Sequence, residues 1–154
     1  MILKVLELVG LLLTALVFGV FWGPWIGLTR SMSTLDKDVM LVVVHRMDRN
    51  LGRLMTVLFP VTLLVTVAEL VLDFGDALAF SLTLAALVCL TITLAVTMLV
   101  EVPVVEKIRG WTSATIPDDW EHLRDRWVSF HPARVIPGFA ALALLAAAAI
   151  FATS

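Results

Sequence analysis

The chain has 154 residues, enough for one domain, and 60% of them are hydrophobic while only 16% are charged. A soluble domain carries about 25% charged residues, so this composition, with a mean hydropathy of +1.01, excludes an ordinary soluble protein and indicates a bilayer protein. The formal net charge of -2 argues against nucleic acid as a partner, because such a partner requires a basic surface.

Four apolar runs are near the roughly 20 residues that a transmembrane helix needs. The first is too long for a signal peptide and no small-residue cleavage site follows it, so we expect a retained span. The sequence therefore predicts a single all-α domain over residues 1–154, an integral membrane four-helix bundle. The predicted spans cover residues 5–26, 54–72, 77–100 and 135–152.

Positive charge is divided unevenly between the two ends of this bundle. Of the eleven Lys and Arg residues, five lie in the first connection, five in the third, and only Lys4 at the opposite end. The positive-inside rule places these two connections in the cytoplasm. We therefore expect a multi-pass protein of the cell (plasma) membrane, with both termini and a tight turn at residues 73–76 outside.

Each cytoplasmic connection is expected to contain an interfacial helix. In the first, Ser33 or Thr34 suits the N-cap of a helix that either lies at the interface or continues directly into the second span. In the third, Pro117 suits the first helical position, and Pro132 is expected to separate this helix from the fourth span. The helix of the third connection has an apolar face suited to the membrane surface, formed by Trp120, Leu123, Trp127 and Phe130.

Small residues form one face of the first span. Gly19, Gly23 and Gly27 recur every four residues, which lets another helix approach closely. The alanine-rich fourth span is a suitable partner. We therefore predict that this face packs within the bundle rather than binding a ligand.

Carboxylates lie at the outer ends of the first two spans. Glu69 and Asp73 continue a polar stripe of the second span, and Glu7 of the first span lies at a similar depth. Carboxylates within a membrane are costly and are functional candidates by default. Two interpretations stay open: an ion pair of Lys4 with Glu7 or Glu69, or an outward-facing vestibule or proton site.

A second polar group is expected where the third and fourth spans meet the third connection. The third span carries a stripe of residues at intervals of four that ends at Glu101, and His131 and Arg134 stand at the mouth of the fourth. With Trp111 and Trp127 as aromatic walls, they would suit a flat, acidic aromatic ligand. The alternative is an amphipathic connector whose Trp and Arg side chains bind lipid headgroups.

The other two histidines are weaker candidates. His45 lies either on a solvated face with Asp38 and Arg49 or in the same cavity as the polar group, while His122 is expected to be solvated. No close-spaced ligand pair supports a metal site built from the three histidines, so we predict no metal. The lone cysteine, Cys89, excludes disulfide and Cys-x-x-Cys redox chemistry.

One stretch of the chain resembles a known family. EVPVVEKI, then a tryptophan, then PDDWEHLRDRWVSFHPAR is similar to the signature of the anthrone-oxygenase-like family of small four-span membrane proteins, many of them a domain of unknown function. FWGPWIGLTRS followed by HRMDRN looks like the first half of one branch. The resemblance implies a four-helix membrane bundle and, for some members, oxidation of an anthrone to an anthraquinone by O₂ without an evident cofactor. Such members often carry asparagines where this chain has Glu101 and Val105.

On the basis of this resemblance we expect an oxygenase-like protein that needs no cofactor and acts on a lipophilic phenol, anthrone or quinol. His131 would be the general base and Glu101 would orient it or relay its proton. The predicted oxyanion and ring-binding residues are Arg134, Arg126, Trp111, Trp127 and His45. Two alternatives stay open: a non-enzymatic protein that binds a lipid or a partner subunit through the same cavity, and a small transporter, which would need a homo-oligomer.

Overall fold

The computed structural model describes residues 2–152, which contain six α-helices and no strand. The helices are α1 (Ile2–Gly27), α2 (Lys37–Met47), α3 (Arg53–Leu72), α4 (Ala77–Val96), α5 (Val102–Arg109) and α6 (Trp120–Phe151). Two 3-10 turns cover Thr29–Thr34 and Asp73–Gly75, and two π-helical turns, Asp48–Gly52 and Thr97–Glu101, join α2 to α3 and α4 to α5.

Helices α1, α3, α4 and α6 form the bundle. Helix α6 packs against α1 and α4, and α3 packs against the same two helices. Large apolar side chains such as Leu64, Leu99 and Ile136 are exposed around the outside, as a lipid-facing surface requires. The described chain has four helical stretches long and apolar enough to cross a membrane, so the predicted all-α four-helix membrane bundle is confirmed.

The middle of the bundle is filled by apolar side chains in two clusters. One consists of Val17, Phe21, Phe59 and Val135, and the other of Ala86, Leu90, Ala141 and Leu145. The buried threonines beside them donate to carbonyl oxygens of their own helices: the Oγ1 atoms of Thr62, Thr66 and Thr93 lie 2.7, 2.9 and 3.0 Å from their acceptors. The hydroxyls of Thr62 and Thr66 are used within α3, whereas Thr93 Oγ1 also lies 3.4 Å from the carbonyl oxygen of Arg134 and so links α4 to α6.

A second layer covers the basic end of the bundle. We call this layer the cap; it comprises the turn Thr29–Thr34, α2, α5 and the first two turns of α6. The cap is held by an ion pair in which Arg109 donates twice to Asp48 at 2.9 Å, and by His45 Nε2, which donates to the Ile108 carbonyl at 3.1 Å. Its buried apolar side chains are Met32, Met40, Leu41, Val44, Val104, Ile108 and Trp127.

Both connection helices are continuous with spans. Helix α2 leads through a π-helical turn directly into α3, which is one of the two predicted alternatives. Helix α6 runs unbroken through Pro132, so the predicted break there is wrong. Buried residues on both sides of this proline, from Trp127 to Val135, hold the helix in place while only one backbone hydrogen bond is lost.

Two predicted helix starts also differ from the structure. Ser33 and Thr34 lie in the 3-10 turn, where Thr34 Oγ1 donates to the Ser31 carbonyl at 2.7 Å, so neither is the N-cap of α2. The third-connection helix begins at Trp120 rather than at Pro117. At Thr34 the 3-10 turn uses the hydroxyl that the sequence pattern assigned to a helix end, and at Pro117 a turn precedes the helix, in which the Trp120 N–H donates to the Pro117 carbonyl oxygen at 3.2 Å.

The glycine face of α1 is not packed within the bundle, and that prediction is wrong. A Cβ atom on Gly19, Gly23 or Gly27 would meet no atom of residues 2–152 within 4 Å. Helix α1 is close to α3 at Gly10 instead, where a Cβ atom would collide with the carboxylate of Glu69. Helices α1 and α3 therefore come close together at Gly10, beside the buried carboxylate of Glu69, and the repeated glycines of α1 are not needed for close packing.

This difference predicts opposite outcomes for two glycine substitutions. Gly10→Ala should lower the free energy of unfolding by about 1–3 kcal/mol, because the new methyl group must displace the Glu69 carboxylate. Gly19→Ala is the matched control on the same helix. It should leave stability unchanged or raise it by up to about 1 kcal/mol. Denaturant titrations in detergent measure both, and equal effects would contradict the close contact at Gly10.

Candidate functional site

Glu101, His131 and Arg134 meet where the bundle joins the cap. Residues spaced by four drift by about 40° per step around a regular helix. The π-helical turn Thr97–Glu101 has more residues per turn than an α-helix, which compensates for this rotation. Glu101 therefore still points into the bundle. His131 and Arg134 are three apart on one face of α6. Their exposed fractions are 2% for Glu101, 0% for His131 and 9% for Arg134.

Arg134 is the centre of this group. Its Nη2 atom lies 3.2 Å from Glu101 Oε2 and 2.8 Å from His131 Nδ1, while Nδ1 and Oε2 are 4.0 Å apart. A guanidinium group only donates hydrogen bonds, so Nδ1 accepts one and carries no proton. His131 Nε2 then donates to the carbonyl oxygen of Phe21 at 3.1 Å. The imidazole is therefore neutral and both of its nitrogens are engaged.

Aromatic rings enclose the group. The centroids of the Trp127 and His131 rings lie 5.5 Å apart in an edge-to-face arrangement. The Cζ atom of Arg134 lies 4.6 Å from the centroid of the Phe21 ring. A cation over an aromatic face is attracted by the ring quadrupole, more strongly where water is excluded. Phe21 thus supports the site twice, through its ring and its carbonyl oxygen. Sequence reasoning missed it, because an apolar residue within an apolar span carries no chemical signal.

Glu101 has unused capacity to accept hydrogen bonds. Both of its carboxylate oxygens, and Arg134 Nε, are buried without a hydrogen-bond partner of good geometry in the described chain. The 3.2 Å contact with Arg134 Nη2 supplies charge attraction but not an aligned hydrogen bond. Buried polar groups are normally paired, so an unpaired carboxylate beside a fixed cation marks this as the candidate site.

The other predicted site residues lie outside this group. Trp111 is partly buried and packs against the apolar cluster of the cap, and His45 joins α2 to α5. Arg126 is exposed because it precedes Trp127 by one position on α6 and so faces another direction. The structure therefore unites Glu101, His131, Arg134 and Trp127, while Trp111 and His45 belong to the cap and Arg126 to the surface.

Within residues 2–152, no group of three His, Cys, Asp or Glu side chains has the arrangement to hold a metal ion. His122 is exposed on α6, while His131 is fully buried.

Comparisons with known proteins give no match: no family model, no curated protein and no solved structure is similar to this chain.

Proposed function

We propose that this chain is a membrane-embedded, oxygenase-like protein that binds a lipophilic phenol, anthrone or quinol beside Glu101 and oxidises it with O₂. The observation that carries the proposal is the buried Glu101 carboxylate, which lacks a hydrogen-bond donor although it lies 3.2 Å from Arg134. Such a carboxylate can accept a proton from a weakly acidic O–H or C–H group. The substrate class and the use of O₂ follow the resemblance to anthrone-oxygenase-like proteins.

The geometry favours Glu101 over His131 as the base. Both nitrogens of His131 are engaged, one by Arg134 and one by the Phe21 carbonyl. His131 is better suited to positioning Arg134, whose fixed positive charge would stabilise the oxyanion that forms when the substrate loses its proton. Trp127 would exclude water from one side of the group.

The proposed reaction on an anthrone balances without another reactant. Glu101 takes the C–H proton, and the negative charge of the carbanion spreads to the carbonyl oxygen beside Arg134. One electron passes to O₂, and superoxide and the carbon radical combine to a peroxide, which takes the proton back from Glu101. The remaining C–H bond and the O–O bond then break with loss of water. One O₂ is used and one water is formed per anthraquinone; a quinol would instead give a quinone and H₂O₂.

A second candidate is a non-enzymatic protein that binds a lipid or a partner subunit at the same group. One observation favours it: His131 and the Arg134 Nη2 atom already have partners inside the protein. A binding role needs only the remaining acceptor capacity of Glu101 and the surrounding aromatic rings.

Oxygen uptake by the purified protein in detergent distinguishes these candidates. After treatment with a chelator, the protein is offered anthrones, naphthols and quinols. We expect uptake with at least one of them, unchanged in His122→Gln, an exposed control, and about 100-fold lower in His131→Gln, because Arg134 loses its support. Compounds that quench tryptophan fluorescence but cause no oxygen uptake would overturn the enzymatic proposal in favour of binding.

We also propose that the basic connections face the cytoplasm of the cell (plasma) membrane and that both termini face outward. The distribution of Lys and Arg supports this topology, since only Lys4 lies at the other end. To test this topology, a reporter that is active only outside the cell can be fused to either terminus. We expect both fusions to be active.

A further inference from the structure

A group of carboxylates surrounds a small cavity at the end of the bundle opposite the cap. Glu7 of α1, Glu69 of α3 and Asp73 of the following 3-10 turn line it together with Thr83 of α4. Its volume is about 10 Å³, close to the minimum of about 10–15 Å³ that one water molecule needs. The remaining lining is apolar and consists of Ala79, Leu145 and Ala148.

The three carboxylates differ in their partners. Asp73 Oδ2 accepts a hydrogen bond from Thr83 Oγ1 at 2.7 Å. Glu7 pairs with Lys4 at 3.1 Å, which is one of the two predicted alternatives, and its side chain is 15% exposed. Glu69 is only 3% exposed, and its Oε1 atom is buried without a hydrogen-bond donor among the described residues. Among residues 2–152, Glu69 is therefore the member of the three that has a buried acceptor atom without a donor.

Among the residues that the structure describes, the charges around Glu69 are mostly of its own sign. Helix α1 supplies Glu7 with its partner Lys4, the turn after α3 supplies Asp73, and α6 supplies only apolar residues. Asp76, at the start of α4, accepts hydrogen bonds from the backbone N–H groups of Leu78 and Ala79 at 2.9 and 3.0 Å. A carboxylate anion at Glu69 would lack a donor in an apolar setting, whereas a carboxylic acid could donate its proton to an acceptor across the cavity.

We propose that Glu69 is a proton-binding site, in which it shares a proton with Asp73 through one water molecule held in this cavity. Gly10 makes the site possible, because any larger residue there would occupy the place of the Glu69 carboxylate. The partly exposed Glu7 lies between the cavity and the outside and gives the proton its route. No three carboxylates in residues 2–152 have metal-binding geometry.

This site is independent of the proposed oxygenase. The apolar clusters around Phe59 and Leu90 fill the bundle between Glu69 and Glu101. Failure of either proposal therefore leaves the other unaffected.

An apolar carbodiimide, dicyclohexylcarbodiimide, tests the proton directly. It reacts with a carboxylic acid in apolar surroundings: the acid proton moves to a carbodiimide nitrogen, the carboxyl oxygen adds to the central carbon, and rearrangement gives a stable acylurea with no leaving group. Peptide mapping by mass spectrometry of the whole protein in detergent locates the adduct. We expect it on Glu69, with a rate that falls roughly tenfold per pH unit once most molecules have lost the proton.

Two variants and a protection experiment with Na⁺ complete the test. Glu69→Gln should lose the adduct, and Glu106→Gln, which removes an exposed carboxyl group on α5, should keep it. Mapping on the unmodified chain keeps the test valid if Glu69→Gln does not fold. An adduct absent from Glu69 at every pH would overturn the proposal. Protection of Glu69 by Na⁺ at constant pH would also overturn it and assign a metal cation to the cavity instead.

Discussion

Replacing Arg134 with methionine should lower the free energy of unfolding by about 3–5 kcal/mol. The reason is that Glu101, which is 2% exposed, would remain buried without its counter-charge. His131 Nδ1 would lose its hydrogen-bond donor in the same step. Denaturant titration in detergent, followed by tryptophan fluorescence, measures the loss. Arg126→Met is the matched control on the same helix, and because Arg126 is exposed it should change stability by no more than about 0.5 kcal/mol.

A second substitution tests whether Glu101 is the energetic partner of Arg134. In Glu101→Leu/Arg134→Met no buried charge is left without its partner, so much of the lost stability should return. A double-mutant cycle then gives the coupling between the two side chains, expected to be about 1–3 kcal/mol. If the double variant is as unstable as the sum of the two single variants, Glu101 and Arg134 are not an energetic pair.

Replacing Glu101 with glutamine should lower substrate-dependent oxygen uptake by about 10²–10⁴-fold, the usual contribution of a general base. Glutamine keeps the size of the side chain but cannot accept the substrate proton. The loss should be smallest at a pH at which the substrate is already ionised in solution, because no base is then needed. Glu106→Gln, an exposed control on α5, should keep the full rate. Full activity in Glu101→Gln at every pH would show that the base lies elsewhere.

The sequence was a good guide to the fold and to part of the site. Hydropathy located four spans, and polar residues at the ends of the third and fourth predicted that Glu101, His131 and Arg134 lie together, as they do. The role of Phe21 was not predictable, because its carbonyl meets His131 from 110 positions away and a backbone oxygen is the same in every residue. The protonation state of His131 could not be predicted from the sequence either, because it depends on which groups contact its two ring nitrogens.

Two further differences have physical reasons. Pro132 locally disfavours a helix, but packing on both sides outweighs that preference, and sequence alone gives no measure of the packing. The repeated glycines of α1 form a smooth face, which either another helix or lipid could cover. Because lipid tails are as apolar as a helix surface, the sequence pattern does not distinguish the two. Gly10, isolated in the sequence, is the position that is tightly constrained.

The length of α6 sets the depth of the proposed site in the membrane. Its 32 residues span about 48 Å, against about 30 Å for the hydrocarbon of a bilayer. If its C-terminal end is level with one surface of the hydrocarbon, the other surface falls near Pro132, beside His131 and Arg134. A molecule with its rings among the acyl chains and its hydroxyl group at the lipid carbonyls already lies at this depth, so a substrate of the proposed reaction would reach the outside of the bundle by lateral diffusion. Its effective concentration is then its mole fraction in the membrane, so adding inert lipid at constant substrate should dilute the substrate and slow the reaction.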